Sequence, residues 1–488
     1  MAYTLPALIS AWWPTFRERA EQAGGLPGFV VDEIEGYLRC GIVEHGVAHL
    51  ACRRCGHSMV VAFSCKGRGF CPSCTGRRMA DLAAHLVDEV LPKVAIRQWV
   101  CSLPWLLRVP MAYDRALCGD VLAAFVGALQ RLLRQRAKRA LGLRSVEAAE
   151  IGAVTFVQRC DSALRLDVHF HTLALDGVYV RDESGALQFH RLPDPTPEEV
   201  VQVATWVHER LARVLERHGR SLDGHDDAPS VLADEEPALA SLYDASAADR
   251  QLLGDAPGQA TRKLVRATAE VLPQSEALAD VGGVNVHAGA AIDGRDRKRL
   301  ERLCRYIARP PLAQERLEEH GDGRLRYRFK RPWRNGTYAV VLEPLDLVAR
   351  LVALVPPPRF HMLRYHGVLA AHAKARAEVV PGRAASASSE PVQLKLGFEA
   401  AHASEVESEP ASTSERASRH PWAWLLARVF AVDVTVCPRC AGRMRLLKLA
   451  TTREDISKAL AHAGLGPRPP PRPRLTMLGQ LELRFAAA

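Results

Sequence analysis

The chain has 488 residues, 48% hydrophobic and 25% charged, with a formal net charge of +10 and a pI near 9.1. That length is too great for one ordinary domain, and the balance is that of a globular protein with real cores, so two to four folded units are expected and a disordered or fibrous chain is excluded. The excess of base over acid favours a polyanionic partner.

No uninterrupted apolar run approaches a membrane span, and Met1-Ala2-Tyr3-Thr4-Leu5-Pro6 lacks the basic start and apolar stretch of a signal peptide. The expected compartment is the cytoplasm, with no membrane partner. Thiols stay reduced there, so the twelve cysteines read as metal ligands or buried apolar residues rather than disulfides.

Six cysteines fall between Cys40 and Cys74 and define an N-terminal module, residues 1–92, closed by a helix near 77–90. Residues 97–103 (RQWVCSL) predict a strand that Pro104 ends. Residues 114–141 predict an amphipathic helix with Leu117, Val121, Phe125, Leu129 and Leu132 on one face. Two strands, 154–159 and 166–180, flank a polar turn at Asp161-Ser162, and a proline-led helix spans 195–218. Residues 219–260 are acidic and rich in Asp, Ala and Pro, which predicts an excursion or loop. A strand at 283–292 precedes a helix at 293–309 that Pro310-Pro311 terminates. A hairpin of 325–331 and 338–342 follows, then an apolar helix over 345–355. These elements make residues 93–380 one domain. Residues 381–418 read as a flexible linker, and 419–488 as a small C-terminal unit with a proline-rich end.

Four constellations carry chemistry. Cys52-x2-Cys55 and Cys71-x2-Cys74, fifteen residues apart, have the spacing of a structural zinc site in which two knuckles close a tetrahedron. Cys40 and Cys65 are left over, as substitute ligands, as part of a second site with His45, His49 or His57, or as core residues. Arg53, Arg54, Lys66, Arg68, Arg77 and Arg78 surround this block and suit phosphate contact. Cys437-Pro438-Arg439-Cys440 is half a zinc site. It needs His462, another protomer or the N-terminal module to complete it, unless it is a pair of core thiols.

His169-Phe170-His171 lies within a strand pattern, so both imidazoles share one face and suit a divalent ion such as Mg²⁺ or Mn²⁺. Gln158, across the short turn, is the leading third ligand, with Asp161 and Asp167 behind it. In the 293–309 helix Leu300, Leu303, Cys304 and Ile307 face the core, while Arg302, Tyr306 and Arg309 share the other face. A phenol between guanidiniums can act as a nucleophile towards phosphate.

At these residues the chain resembles the HUH rolling-circle transposases of the insertion sequence 91 group, in its common-region branch. The similar stretches are CRRCGHSMVVAFSCKGRGFCPSCTGRRM from Cys52, RQWVCSLPWLL from Arg97, DVHFHTLALDGVYV from Asp167, LERLCRYIARPP from Leu300, KRPWRNGT from Lys330 and PPPRFHMLRYHGVL from Pro356. VTVCPRCAGRMR from Val434 resembles the family's tail. The resemblance implies an α+β fold with an HUH-type antiparallel sheet flanked by helices. It implies an enzyme that nicks single-stranded DNA at element ends, keeps a 5′-phosphotyrosine link and transfers the strand. Two-tyrosine members carry tyrosines four apart. Here Tyr306 matches the second and Arg302 stands at the first, so the chain resembles a single-tyrosine variant, and either one tyrosine is reused or a homodimer supplies two. Tyr365 is a rival nucleophile. A zinc-containing DNA-binding regulator without nuclease activity, and a replication initiator or relaxase, are the alternative readings.

Overall fold

The computed structural model describes residues 4–223, 231–252, 257–266, 277–381 and 434–466. The chain forms two compact units, Met1–Gly46 with Val61–Gly382, and Val47–Val60 with Arg383–Ala488. The expected 1–92 module is thus shared between them. Residues 382–418 of the expected linker, and the proline-rich end beyond Gly466, lie outside the described residues.

The first unit is built on a six-stranded antiparallel sheet. Its spatial order is Leu363–Gly367, Gly152–Cys160, Leu166–Leu175, Ile96–Ser102, Val284–Ile292, Leu278–Val281. Alternation along Leu166–Leu175 divides the side chains between two cores. Val168, Phe170 and Ala174 join the larger core, where Phe170 stacks on Phe125 of the helix Arg115–Leu141 with ring centroids 6.3 Å apart. Leu173 and Leu175 face the other way and pack with Leu300, Leu303, Cys304 and Ile307 of the helix Arg297–Ile307. The sheet is therefore a filling between helices, and His169 and His171 stand on the Arg297–Ile307 side by the same alternation.

The helices start where their sequence says they should. Asp114 accepts from the N–H groups of Ala116 and Leu117, and Gly142 ends that helix at φ 65°. Thr196 and Glu199 form a capping box on Pro197–Arg217, with proline in the first turn. Asp296 caps Arg297–Ile307. The helix Arg115–Leu141 is long and apolar enough to cross a membrane by length and composition alone, but Asp120 and Arg131 interrupt its apolar run and its buried side chains lie in the core.

Two other expectations change. The strand expected over 166–180 is two strands, Leu166–Leu175 and Gly177–Arg181, and the second pairs with Leu187–Arg191. The break is Asp176, whose buried carboxylate accepts both forks of Arg97 at 2.7 and 3.0 Å. The described part of the acidic stretch is an excursion with structure of its own rather than a plain loop: it holds the helices Val231–Glu235 and Pro237–Ala247. Leu239, Leu242 and Tyr243 enter the main core, and Arg159 donates to the Tyr243 hydroxyl at 3.1 Å. Acidic residues, Pro237 and Ser241 interrupt the apolar residues there, which hid the face formed by Leu239, Leu242 and Tyr243.

Asp346, 3% exposed in the helix Pro344–Leu354, is pushed up to about 6 by burial, against the pull of Arg350. One of its oxygens has no hydrogen-bond partner among the described residues. A folded pKa above the unfolded value of about 3.9 means that stability is lost as pH rises from about 4 to about 6 and stays lost above. Asp346→Asn is expected to raise stability by about 2 kcal/mol at pH 8 and by almost nothing at pH 4. Urea denaturation at the two pH values checks this, and equal gains would refute it.

The second unit is small. Met444–Ala450 pairs antiparallel with Val47–Cys52, which neighbours Ser58–Ala62, and the helix Arg453–His462 follows.

Candidate functional site

His169 and His171 project from one face of their strand with ring centroids 5.1 Å apart. The Nδ1 of His169 lies 2.9 Å from the Asp167 carbonyl oxygen. A carbonyl only accepts, so Nδ1 carries the hydrogen and Nε2 keeps its lone pair. The Nδ1 of His171 lies 2.7 Å from the side-chain amide of Gln98 on the neighbouring strand. The Gln98 amide nitrogen stands there and donates, so Nδ1 accepts and the neutral ring carries its hydrogen on Nε2; turning the amide over exchanges the roles and frees Nε2 for a ligand. Burial, helped by His169 and Arg309, holds His171 well below the usual imidazole range, so it stays neutral and able to ligate.

Gln158 pairs in register with His169 across the strands. Its amide nitrogen donates to the carbonyl of Ile307, the residue after Tyr306, so its oxygen remains for a ligand while its nitrogen ties the strand Gly152–Cys160, neighbour of the histidine strand, to the helix. The two carboxylates named with it are engaged elsewhere. Asp161 binds Arg165 and caps the turn through the N–H groups of Ala163 and Arg165, and Asp167 pairs with Arg108 at 3.2 Å.

Tyr306 packs half-buried against the core beneath that helix. The Arg309 guanidinium lies 4.7 Å from its ring centroid and the Lys330 ammonium 5.3 Å. Arg309 therefore touches the phenol and also acts on His171. Tyr365 lies on Leu363–Gly367 opposite Val154, with Arg376 at 5.9 Å, and burial pushes its phenol up.

The cysteines regroup. Cys71 and Cys74 gather with Cys40 and Cys65, while Cys52 and Cys55 gather with Cys437 and Cys440. The expected set of Cys52, Cys55, Cys71 and Cys74 around one ion does not form. After the Cys52-x2-Cys55 turn, the strand Ser58–Ala62 carries the chain about 16 Å away, at about 3.3 Å per residue. In the first group the sulfurs of Cys40–Cys74 and Cys40–Cys71 are 3.7 Å apart and those of Cys65–Cys74 are 3.4 Å apart. Four sulfurs at about 2.3 Å from one Zn²⁺ stand about 3.8 Å from one another, whereas a disulfide needs about 2.05 Å. Cys71 and Cys74 begin the helix Pro72–His85, whose positive end favours thiolates. Cys40 ends the helix Gly28–Arg39, so the group suits a structural zinc joining two helices. Cys101, Cys118, Cys160 and Cys304 stand apart, and burial pushes their thiols up, Cys118, Cys160 and Cys304 to about 12.

Residues 152–377 match a family model described as a putative transposase, and residues 8–103 match one described as a transposase zinc-binding domain. The transposase for insertion sequence element IS801 of Pseudomonas savastanoi pv. phaseolicola is 25% identical over 356 residues, 72% of each chain. The two models and this relative together support an IS91-family transposase. No solved structure matches it.

In this transposase the basic residues expected to meet phosphate divide by what they already hold. Arg68 donates to the carbonyls of Pro357 and Phe360, and Arg78 to those of Lys66 and Gly67. Arg77 lies 3.8 Å from the Cys74 sulfur. These three brace the cysteine loop, together with Glu33, which accepts from the N–H groups of Arg68 and Gly69. Lys66, Arg53, Arg54, Arg302 and Arg309 are exposed, with Arg302 donating to the Lys298 carbonyl one turn earlier in its own helix. The sequence reading missed Gln98 and His287. His287 pairs with Val100, which pairs with His171, so all three share the face of the sheet that carries the site. Neither residue has a sequence signal, because only strand pairing brings it near the histidine pair.

Proposed function

We propose that this transposase nicks single-stranded DNA at element ends through Tyr306 and rejoins it at a target, the chemistry of a rolling-circle HUH endonuclease. The observation that carries the reading is the Gln158 bridge: one side chain pairs across the strands with His169 and grips the carbonyl of Ile307, the residue that follows Tyr306 on its helix. His169 and His171 would hold Mg²⁺ or Mn²⁺ through their Nε2 atoms, with the Gln158 oxygen as third ligand. Such an ion, when bound, polarises the scissile phosphate.

Tyr306 Oη attacks phosphorus as its proton passes to solvent. The P–O3′ bond breaks, the 3′ oxygen takes a proton, and a 5′-phosphotyrosine remains. In transfer a 3′-hydroxyl attacks that phosphorus and tyrosine leaves. The phosphodiester is conserved throughout, so no energy cofactor is consumed. Arg309, lying over the phenol, balances charge that builds on the phosphoryl oxygens, and Arg302 one turn earlier meets the flanking backbone. Arg53, Arg54 and Lys66 supply further phosphate contacts. With one tyrosine per chain at this position, the second cleavage reuses it or draws on a second protomer. The place of action is the cytoplasm, at the nucleoid.

The test uses labelled single-stranded DNA carrying the element's end, with Mn²⁺. The intact protein is expected to form a denaturant-resistant adduct, and omission of metal, His169→Ala or His171→Ala to abolish it. No adduct from intact protein on its own terminal sequence would favour a zinc-containing DNA-binding regulator. Gln98→Leu, which removes the partner of His171 Nδ1, should raise the Mn²⁺ concentration needed for half-maximal nicking about 10- to 100-fold. An unchanged Mn²⁺ dependence would show that Gln98 plays no part in aiming His171.

A further inference from the structure

We propose that Cys52, Cys55, Cys437 and Cys440 form a second zinc site, a zinc ribbon whose two knuckles come from opposite parts of the chain and close within one molecule. The zinc-binding family model ends at residue 103, so it does not include the C-terminal pair.

The sulfur geometry fits an ion. Cys52–Cys440, Cys55–Cys437 and Cys55–Cys440 are 3.5, 3.6 and 3.4 Å apart, near the tetrahedral spacing of about 3.8 Å and far from a disulfide. The backbone is shaped for it. The Arg54 N–H points at the Cys52 sulfur at 3.3 Å, and the Gly56 N–H closes the first turn on the Cys52 carbonyl at 3.1 Å. In the second knuckle the Ala441 N–H meets the Cys437 carbonyl at 2.9 Å, and the Cys437 N–H meets the Gly442 carbonyl at 2.8 Å. A Cβ on Gly442 would lie 3.1 Å from both the Cys440 and Cys52 sulfurs, so this glycine lets the strand pass close against the sulfur cluster.

The strands set the register. Cys52 pairs with Met444 and Ala51 with Arg445, and the Arg53 N–H donates to the Arg443 carbonyl, which lays the two turns side by side. Four thiolates around Zn²⁺ carry two negative charges, and Arg53, Arg54, Arg439 and Arg443 sit in or beside the knuckles. Neither pair can coordinate alone, having only two sulfurs. The described part of this unit buries few apolar side chains, Val47, Leu50, Val434, Met444, Ile456 and Leu460 among them, and a core of that size needs a staple.

The full-length protein should carry about two zinc ions by elemental mass spectrometry. Cys437→Ser with Cys440→Ser should lower this to about one, Cys52→Ser with Cys55→Ser to about one, and the four together also to about one. Retention of two zinc ions by the Cys437→Ser/Cys440→Ser protein would overturn the site. A greater loss in the four-fold variant than in either pair would do the same. A second measurement needs no variant: during stepwise chelation of the unmodified protein, Cys52, Cys55, Cys437 and Cys440 should become open to alkylation together. Free-thiol reactivity of Cys437 and Cys440 in the zinc-loaded protein would also overturn it. A dimer that dissociates on Cys437→Ser/Cys440→Ser would refute closure within one chain.

Discussion

Tyr306→Phe should form no covalent adduct with terminal DNA, and its nicking rate should fall by a factor on the order of 10⁴ or more, since the attacking oxygen is gone. Its affinity for the same DNA should stay within a few-fold, because Arg302 and Arg309 remain. Tyr365→Phe should keep both adduct and rate. Tyr365 stands on the sheet-edge strand, its phenol pushed up by burial, and Arg376 is farther from its ring than Arg309 is from that of Tyr306. Denaturing gels with labelled DNA separate adduct from free strand, and fluorescence anisotropy reads binding. An adduct surviving in the Tyr306→Phe protein would remove this residue from the chemistry.

The second large effect concerns stability. Cys71→Ser with Cys74→Ser should cost the protein the zinc held by the first cysteine group, and with it several kcal/mol out of the roughly 10–16 that such ions supply to small folded modules. The loss is large because of what the group joins. Cys40 ends one helix, Cys71 and Cys74 open another, and Cys65 belongs to the loop that Glu33, Arg68 and Arg78 hold. Cys118→Ala, in the apolar core, should cost only about 1 kcal/mol. Thermal melts with zinc analysis compare the two. Equal losses would mean that the four sulfurs act as ordinary core atoms.

Much of the candidate site was legible in the sequence because its signals are local. Alternation in Leu166-Asp167-Val168-His169-Phe170-His171 fixes which side chains share a face, and three-four spacing in the 293–309 segment separates Leu300, Leu303, Cys304 and Ile307 from Tyr306. Spacing could not assign the cysteines. Each two-residue knuckle looks alike, and which knuckles meet depends on a strand pairing between residues nearly 400 apart. Three paired knuckles together with Cys40 and Cys65, the two single cysteines of the N-terminal block, make eight ligands, enough for two tetrahedra. Gln98 and His287 escaped for a similar reason, since their proximity to the histidines is a property of the sheet. The helices Leu5–Gln22 and Gly28–Arg39 and the strand Leu363–Gly367 were not anticipated either.

The antiparallel pairing of Val47–Cys52 with Met444–Ala450 imposes an order of events at the ribosome. At about 5–20 residues per second, the early hairpin waits some tens of seconds for its partner strand to be made. A truncated product from an interrupted gene or message would leave that hairpin with an open edge and two uncovered sulfurs. Completion of synthesis is thereby written into the fold, and fragments would be marked for aggregation or proteolysis.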